Sequence, residues 1–458
     1  MLSGLCAPRA RPGIFAFCAP FWQKRISCGI KTVKRGMEME YLRIRGGRAL
    51  QGSVTIPGAK NSLLPIMAAS VLCEKPVTLY NLPDLSDLHT SLDILRGIGW
   101  GAEYIDGRVD LFPASRLRAR VPKRAAGAMR SSVFYLAPLL HRAKRVELPA
   151  TGGCRLGARP IDIHLEGLVK MGAIARTEND LLILEAPGGL HGTRFALRYP
   201  SVGATETLMM AAVLAKGRTC LSGAACEPEI EDLARFLNSC GARITGAGSP
   251  RICITGVERL EGARHTVIPD RIVAATIIAA VAAAGGSAVL REVCPEHLEG
   301  VCTVFRRMGM KIARLDLTTL SVRMDGRPRA QAKLETGPYP AFPTDAAPLA
   351  AAALLKADGR SLICDHVFEN RFACAGGFAQ LGARASRQGR CARIWGVPHY
   401  PGGQALAQDL RGGAALVCAA LAADGESRIG GLCYLRRGYA GLEEMLSGLG
   451  ADICLREE

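Results

Sequence analysis

Six times along the chain an almost wholly apolar run of helical length ends in a charged or glycine-containing turn. The runs span residues 63–73, 132–140, 207–215, 273–284, 346–355 and 414–423. A helix apolar on every face has no side to give to water, so each run predicts a buried helix. A β-like segment follows, as in PVTLY at 76–80 or SLIC at 361–364. A second element recurs with it: an amphipathic segment closed by glycine near Gly101, Gly172, Gly241, Gly309, Gly382 and Gly450. Each glycine leads into a short alternating stretch, such as ARITG from Ala242, which reads as a helix passing into a strand. The period is about 70 residues, the mark of repeated units.

Six units predict an α/β chain with two domains of three units each. Three buried helices would bundle in each domain, with sheets and amphipathic helices outside. A doubly wound parallel sheet is the rival. It ranks lower because no GxGxxG follows a strand and the apolar element has helical length.

The residues that open the buried helices are polar or charged in all six cases. They are GAKN at 58–61, Met129-Arg130-Ser131, SVGAT at 201–205, Pro269-Asp270-Arg271, Pro343-Thr344-Asp345 and Asp409-Leu410-Arg411. Helix N-termini attract anions through their unpaired N–H groups and the helix dipole. Capping explains Ser201, Thr344 and Asp345. It does not explain Lys60, Arg130 and Arg411, which the dipole disfavours at that end. If the six starts face one cleft, it would hold Lys60, Arg130, Arg159 and Arg411 and suit a ligand with several phosphate or carboxylate groups. Asp345 would be an acid among bases, able to take a proton from a hydroxyl.

The stretch TGGCRLGARPIDIH at 151–164 adds chemistry. Arg155 and Arg159 follow close after Cys154, and fixed positive charge favours the thiolate. Glycines let such a loop bend and approach a ligand closely. The alternative is a loop that merely contains one of many cysteines.

Composition narrows the class. Hydrophobic residues make up 49% of the 458, but aromatics only 5%, so Ala, Leu, Ile and Val must fill the core. No apolar run reaches the ~18 residues of a membrane span, so a soluble, cytoplasmic protein is expected. The seventeen cysteines include no CxxC pair. They suggest neither a zinc site nor a disulfide framework, and most read as small buried hydrophobes in a reducing compartment. The net charge of +17 owes seven positives to residues 1–36, which hold no acid. The remaining positives are scattered without interleaved aromatics and fit an anionic small molecule better than nucleic acid. Residues 1–37 read as a basic extension, disordered or not native, with Met37 or Met39 as the natural start. In composition they also resemble a transit peptide.

GAKNSLLP at 58–65, the Cys154 loop and AFPTD at 341–345 together resemble the UDP-N-acetylglucosamine 1-carboxyvinyltransferases, members of the EPSP synthase-like superfamily. The likeness runs from about Tyr41 to the C-terminus. MRSSVF from Met129, PSVGAT from Pro200, EPEIED from Glu227, PDRI from Pro269, VFENRF from Val367, DLR from Asp409 and RGY from Arg437 carry it in order. The resemblance implies an inside-out α/β barrel of six βαβαββ-type repeats, three per domain around buried helices. One domain would span 60–268, and the other 38–59 plus 269–458.

It also implies the reaction. Enolpyruvyl would pass from phosphoenolpyruvate to the 3-hydroxyl of UDP-N-acetylglucosamine by addition and elimination, releasing phosphate at the start of peptidoglycan synthesis. Lys60, Arg159 and Arg437 would hold phosphoenolpyruvate, with Asn61 beside them. Arg130, the run Arg159, Pro160, Ile161, Asp162 and Ile163, and Ser201, Val202 and Gly203 would face the UDP-sugar. Asp345, Val367, Arg371 and Arg411 complete that set. Cys154 would be the general acid on a mobile lid and the target of fosfomycin, and Asp345 the base. No metal or cofactor, no nucleic-acid partner, no membrane association and a monomeric state are expected. A hinge is expected near Ala59 and Pro269.

The chain departs from the family pattern at Ala150 and Thr151, inserted before Gly152. It also departs at Val273 after PDRI, at Tyr434 and Arg436 ahead of Arg437, and at ACAGG over 373–377. Two other readings stay open: a weak or non-catalytic UDP-sugar-binding paralogue, and a 3-phosphoshikimate 1-carboxyvinyltransferase. The second is disfavoured by Asn61 after Lys60 and by the presence of Cys154.

Overall fold

A computed structural model describes residues 40–149 and 160–457. The basic extension 1–37 lies outside the described residues, as do Ala150, Thr151, Cys154, Arg155 and Arg159.

Every apolar run forms a helix: Lys60–Ala69, Leu136–Ala143, Val202–Ala212, Arg271–Ala284, Ala347–Leu354 and Leu410–Ala422. The second is extended at its start by a 3-10 segment, Arg130–Tyr135. Small side chains let these helices pack closely. Ala274, Ala275, Ala350, Ala351, Ala415 and Ala419 are among the fully enclosed residues of one hydrophobic cluster. Burial of that apolar surface, at about 25 cal/mol per Å², is the main force holding them together.

The described residues form two hydrophobic clusters. One draws on residues from Ala59 to Val267 and contains the first three helices. The other takes Leu42–Ile56 together with Val273–Ile453 and contains the last three. The chain passes between them twice, side by side. Gly58 and Pro269 form an antiparallel bridge, and Ala59 N donates to Ile268 O at 2.7 Å. Gly58 is required there, because a Cβ would lie 1.8 Å from Asn81 O.

Among the described residues the strands form five sheets of four and one of three; each four-stranded sheet joins one parallel pair to antiparallel neighbours, and the three-stranded sheet is antiparallel throughout. A five- or six-stranded parallel sheet is absent among the described residues, which removes the doubly wound rival. The strand Tyr41–Arg45 lies between Glu426–Gly430 and Asp452–Arg456, so the first and last strands of the described residues share a sheet. Leu50–Thr55 pairs in parallel with Gly286–Arg291.

The closing glycines take the left-handed backbone that stops a helix: Gly172, Gly241, Gly309, Gly382 and Gly450 all have φ between 85° and 102°. In the first unit this residue is Gly99 (φ 98°), which ends the helix Ser86–Ile98. Gly101 instead opens the next strand, so the predicted stop was two residues late.

The cysteine reading needs correction. Cys364 and Cys391 face each other across paired strands and are joined by a disulfide. Cys73, Cys240, Cys302, Cys374 and Cys418 are buried, as expected, but Cys220, Cys226, Cys253, Cys294 and Cys454 are partly exposed and Cys433 is exposed. Among the described residues no helix is long and apolar enough to cross a membrane, and no group of three or more His, Cys, Asp or Glu could hold a metal ion.

Candidate active site

All six helix starts line one cavity of 680 Å³, within the size range of small-molecule sites. Lys60 and Asn61 come from the first helix, and Arg130 and Ser131 from the second. Ser201, Val202 and Gly203 come from the third, Arg271 and Ile272 from the fourth, Thr344 and Asp345 from the fifth, and Leu410 and Arg411 from the sixth. Pro160, Asp162, Ile163, Val367, Arg371 and Arg437 also line it. Ile161 does not; it is buried as the residue that precedes the helix Asp162–Lys170. Cys154 and Arg159 fall outside the described residues.

Capping is distributed differently from the expectation. Ser201 does cap its helix, accepting from Ala204 N at 3.3 Å. Asp270 and Asp409 cap two others. Asp270 Oδ1 accepts from Ile272 N and Val273 N at 2.8 and 3.1 Å, and Asp409 Oδ1 from Arg411 N and Gly412 N at 3.0 and 2.9 Å. Asp270 Oδ2 also accepts from Lys60 N at 3.2 Å, so one carboxylate ties two helix starts together. Thr344 and Asp345 cap nothing and hold arginines instead. Thr344 Oγ1 accepts from Arg371 Nε at 2.9 Å. Asp345 Oδ1 lies 2.9 Å from Arg371 Nη2, and Oδ2 lies 3.3 Å from Arg411.

Both arginines are almost fully buried, which is tolerable because each is paired and stacked. Arg371 lies over the Phe368 ring at 4.7 Å and Arg411 over the Tyr439 ring at 5.6 Å. Nη1 of each is buried with no hydrogen-bond partner among the described residues. An anion reaching these atoms would meet donors already fixed in place.

Sequence reasoning found the cations but missed their counter-charges. Asp87, 4% exposed, sits in the first turn of Ser86–Ile98 and lines the cavity. Its carboxylate lies 2.5 Å from Lys60 Nζ and 2.9 Å from Arg437 Nε, and joins the two residues that the resemblance assigns to phosphoenolpyruvate. Burial pushes the Asp87 carboxyl upward, but Lys60 and Arg437 outweigh it and leave it below its ordinary value. Burial lowers Lys60, with Asp87 opposing. Arg271 is likewise paired with Glu229, and Arg198 with Asp162. The cavity is therefore a set of balanced pairs rather than a uniformly positive surface.

The departures from the family pattern have structural places. Val273 is a core residue. Arg436 pairs with Glu40 at 2.6 and 3.0 Å, and its carbonyl accepts from Ser86 N, next to Asp87.

His164 supplies a pH test. Burial, reinforced by Arg130 and opposed by Asp162, lowers it from 6.5 to about 4. The unfolded chain then binds a proton that the folded chain refuses between those values. Acidification through that window is expected to remove up to ~3 kcal/mol of stability. His164→Gln should flatten this part of the curve in denaturant unfolding across pH. An unchanged slope would show that His164 is not the group responsible.

A family model described as EPSP synthase (3-phosphoshikimate 1-carboxyvinyltransferase) matches residues 44–446. The chain is 41% identical over 417 residues to UDP-N-acetylglucosamine 1-carboxyvinyltransferase 1 of Halalkalibacterium halodurans, covering 91% of this chain and 94% of that one. It is 42% identical to the UDP-N-acetylglucosamine 1-carboxyvinyltransferase of Chelativorans sp., covering 91% and 99%. Among solved structures it resembles the enolpyruvyl transferase NikO from Streptomyces tendae, with a TM-score of 0.82 at 26% identity over 92% of this chain and 100% of that one. EPSP synthase from Acinetobacter baumannii shares the fold, with a TM-score of 0.70 at 18% identity over 91% and 100%. The chain belongs to the EPSP synthase-like enolpyruvyl transferase family, among the UDP-N-acetylglucosamine 1-carboxyvinyltransferases.

Proposed function

We propose that this protein transfers the enolpyruvyl group of phosphoenolpyruvate to the 3-hydroxyl of UDP-N-acetylglucosamine, releasing phosphate. The step opens peptidoglycan synthesis. The observation that carries this reading is the meeting of Lys60, Arg437, Arg371, Arg411 and Asp345 around one cavity, in a chain related to enzymes of that name over most of its length. The shikimate reading is weaker, since the relatives at 41% and 42% identity bear the UDP-N-acetylglucosamine name, whereas EPSP synthase from Acinetobacter baumannii is 18% identical.

The chemistry follows from charge. Phosphoenolpyruvate brings a phosphate and a carboxylate, and Lys60, Arg159 and Arg437 supply cations for both. Cys154 protonates the methylene carbon as the sugar oxygen adds to the neighbouring carbon. Asp345, held by two arginines, lies at the sugar hydroxyl and accepts its proton. Loss of phosphate from the tetrahedral adduct, together with a proton that passes from the newly formed methyl group to a base in the site, then restores the double bond. Donors fixed before the reaction stabilise the charge that develops in it. Asn61 lies beside the phosphoenolpyruvate cations, and Arg130, Pro160, Ile161, Asp162, Ile163, Ser201, Val202, Gly203 and Val367 shape the sugar-nucleotide side.

The two hydrophobic clusters support a division into domains 60–268 and 38–59 plus 269–458. Each would be an inside-out barrel of three repeats, hinged near Ala59 and Pro269. A monomer in the cytoplasm, free of nucleic acid and membrane, suits a small-molecule enzyme of this kind.

The test is phosphate release from phosphoenolpyruvate. It is expected to require UDP-N-acetylglucosamine and to fall by about 10²–10⁴-fold in Cys154→Ala, the range of a lost general acid. Fosfomycin should alkylate Cys154, as read by peptide mass. Release driven by shikimate 3-phosphate, or an active protein left unmodified at Cys154 under saturating drug, would overturn the respective assignment.

A further inference from the structure

Three glutamates and Arg271 line the same cavity. Glu206 lies in the helix Val202–Ala212, Glu227 stands just before the helix Pro228–Ser239, and Glu229 lies in its first turn. Thr205 Oγ1 accepts from Ala225 N at 3.1 Å and fastens one helix to the approach of the other. Arg271 is committed to Glu229, binding both of its oxygens at 2.9 and 3.1 Å. Tyr339 N donates to Glu227 Oε1 at 3.5 Å. Oε1 of Glu206 and Oε2 of Glu227 are buried with no hydrogen-bond partner among the described residues.

Glu206 is only 1% exposed, yet it lines the cavity. A buried carboxylate without a counter-charge is costly, and taking a proton removes that cost. Among the described residues Glu206 has no ion pair. The elements packed on its helix bring Arg130, His141, His164 and Asp232. Burial lowers both histidines to about 4, and His141 is bonded to Ala211 O at 2.7 Å. Asp232 is held by His265 and Arg235. His297, near Arg271 and Glu229, is also lowered by burial. Burial pushes the Glu206 carboxyl far up, and the charges of Glu229 and Glu227 add to the effect.

We propose that Glu206 keeps its carboxyl proton at neutral pH and donates that O–H to a neutral acceptor oxygen, hydroxyl or amide carbonyl, of the bound sugar nucleotide. This rests on the acceptor reading above. A charged carboxylate here would repel the nucleotide's phosphates, whereas a neutral acid lets the same wall bind an uncharged part of the sugar. Glu206 is thus a binding residue that tells the sugar from an all-anionic ligand.

Glu206→Gln keeps the size and replaces O–H with N–H as donor. It should leave KM for UDP-N-acetylglucosamine within about threefold of the unaltered enzyme, while Glu206→Leu raises it about tenfold with a smaller change in kcat. Infrared spectroscopy at neutral pH should show a protonated-carboxyl carbonyl band that Glu206→Gln removes. The proposal is overturned if no such band is lost, or if the Gln variant is as impaired as the Leu variant. The band is read without turnover, so an enzyme inactive toward UDP-N-acetylglucosamine but retaining it would overturn the acceptor reading alone.

Discussion

Asp87→Ala is expected to destabilise the folded protein by about 3–5 kcal/mol, the range for removing one partner of a buried ion pair. Asp87 is 4% exposed and serves two cations at once. Its loss leaves the buried Lys60 and the partly covered Arg437 beside each other without that carboxylate. Lys60 can shed its proton, but a guanidinium cannot, so Arg437 keeps its charge and loses the carboxylate that holds its Nε and Nη2. Arg437 also belongs to the C-terminal part of the chain and Asp87 to the first hydrophobic cluster, so the pair ties distant segments together. Denaturant unfolding would measure the change. A loss below about 1 kcal/mol, as for an exposed pair, would show that the three groups do not depend on one another as drawn.

Lys60→Ala should do the reverse: a large loss of activity with a smaller loss of stability. Arg437 still neutralises Asp87 in that variant, so no buried charge is stranded. The cost falls on phosphoenolpyruvate, which loses a fixed cation. A fall of about 10²–10³-fold in kcat/KM is expected, by analogy with removal of one preorganised donor. The pH profile adds a sign. Burial lowers Lys60 below an ordinary lysine, so its charged form, and the activity that needs it, should fade at a lower pH than an exposed lysine would allow. A Lys60→Ala enzyme with kcat/KM within about tenfold of the parent would remove Lys60 from the reaction.

The six buried helices were legible because an apolar run without a polar face has few alternatives. Their starts were legible because lysine and arginine at a helix N-terminus run against the dipole and need another reason to be there. The strands' partners were not, since pairing Tyr41–Arg45 with segments beyond residue 425 depends on contacts remote in sequence. Gly99 was missed beside Gly101 because both fit a helix-to-strand turn, and only the backbone angle separates them.

Within the site the cations were found and the acids were not. Asp87 looks like an ordinary first-turn acid, which the dipole favours anyway. Glu229 lies in EPEIED, a stretch that carries the resemblance without pointing to a role for this acid. Glu206 carried a usable signal: it stands between Thr205 and the apolar run from Thr207, where a charged residue in a buried helix asks for a partner. Thr344 and Asp345 were read as caps because their types suit caps. Only the positions of Arg371 and Arg411, 26 and 66 residues away, show otherwise.

The most direct measurement is the identity of the product. The protein is incubated with phosphoenolpyruvate and UDP-N-acetylglucosamine, and the sugar nucleotide is read by proton NMR. The account predicts a carboxyvinyl ether on the 3-oxygen, with its vinyl protons, and one phosphate released per sugar converted. An unaltered UDP-sugar would contradict it, most sharply if shikimate 3-phosphate under the same conditions gained the carboxyvinyl group instead.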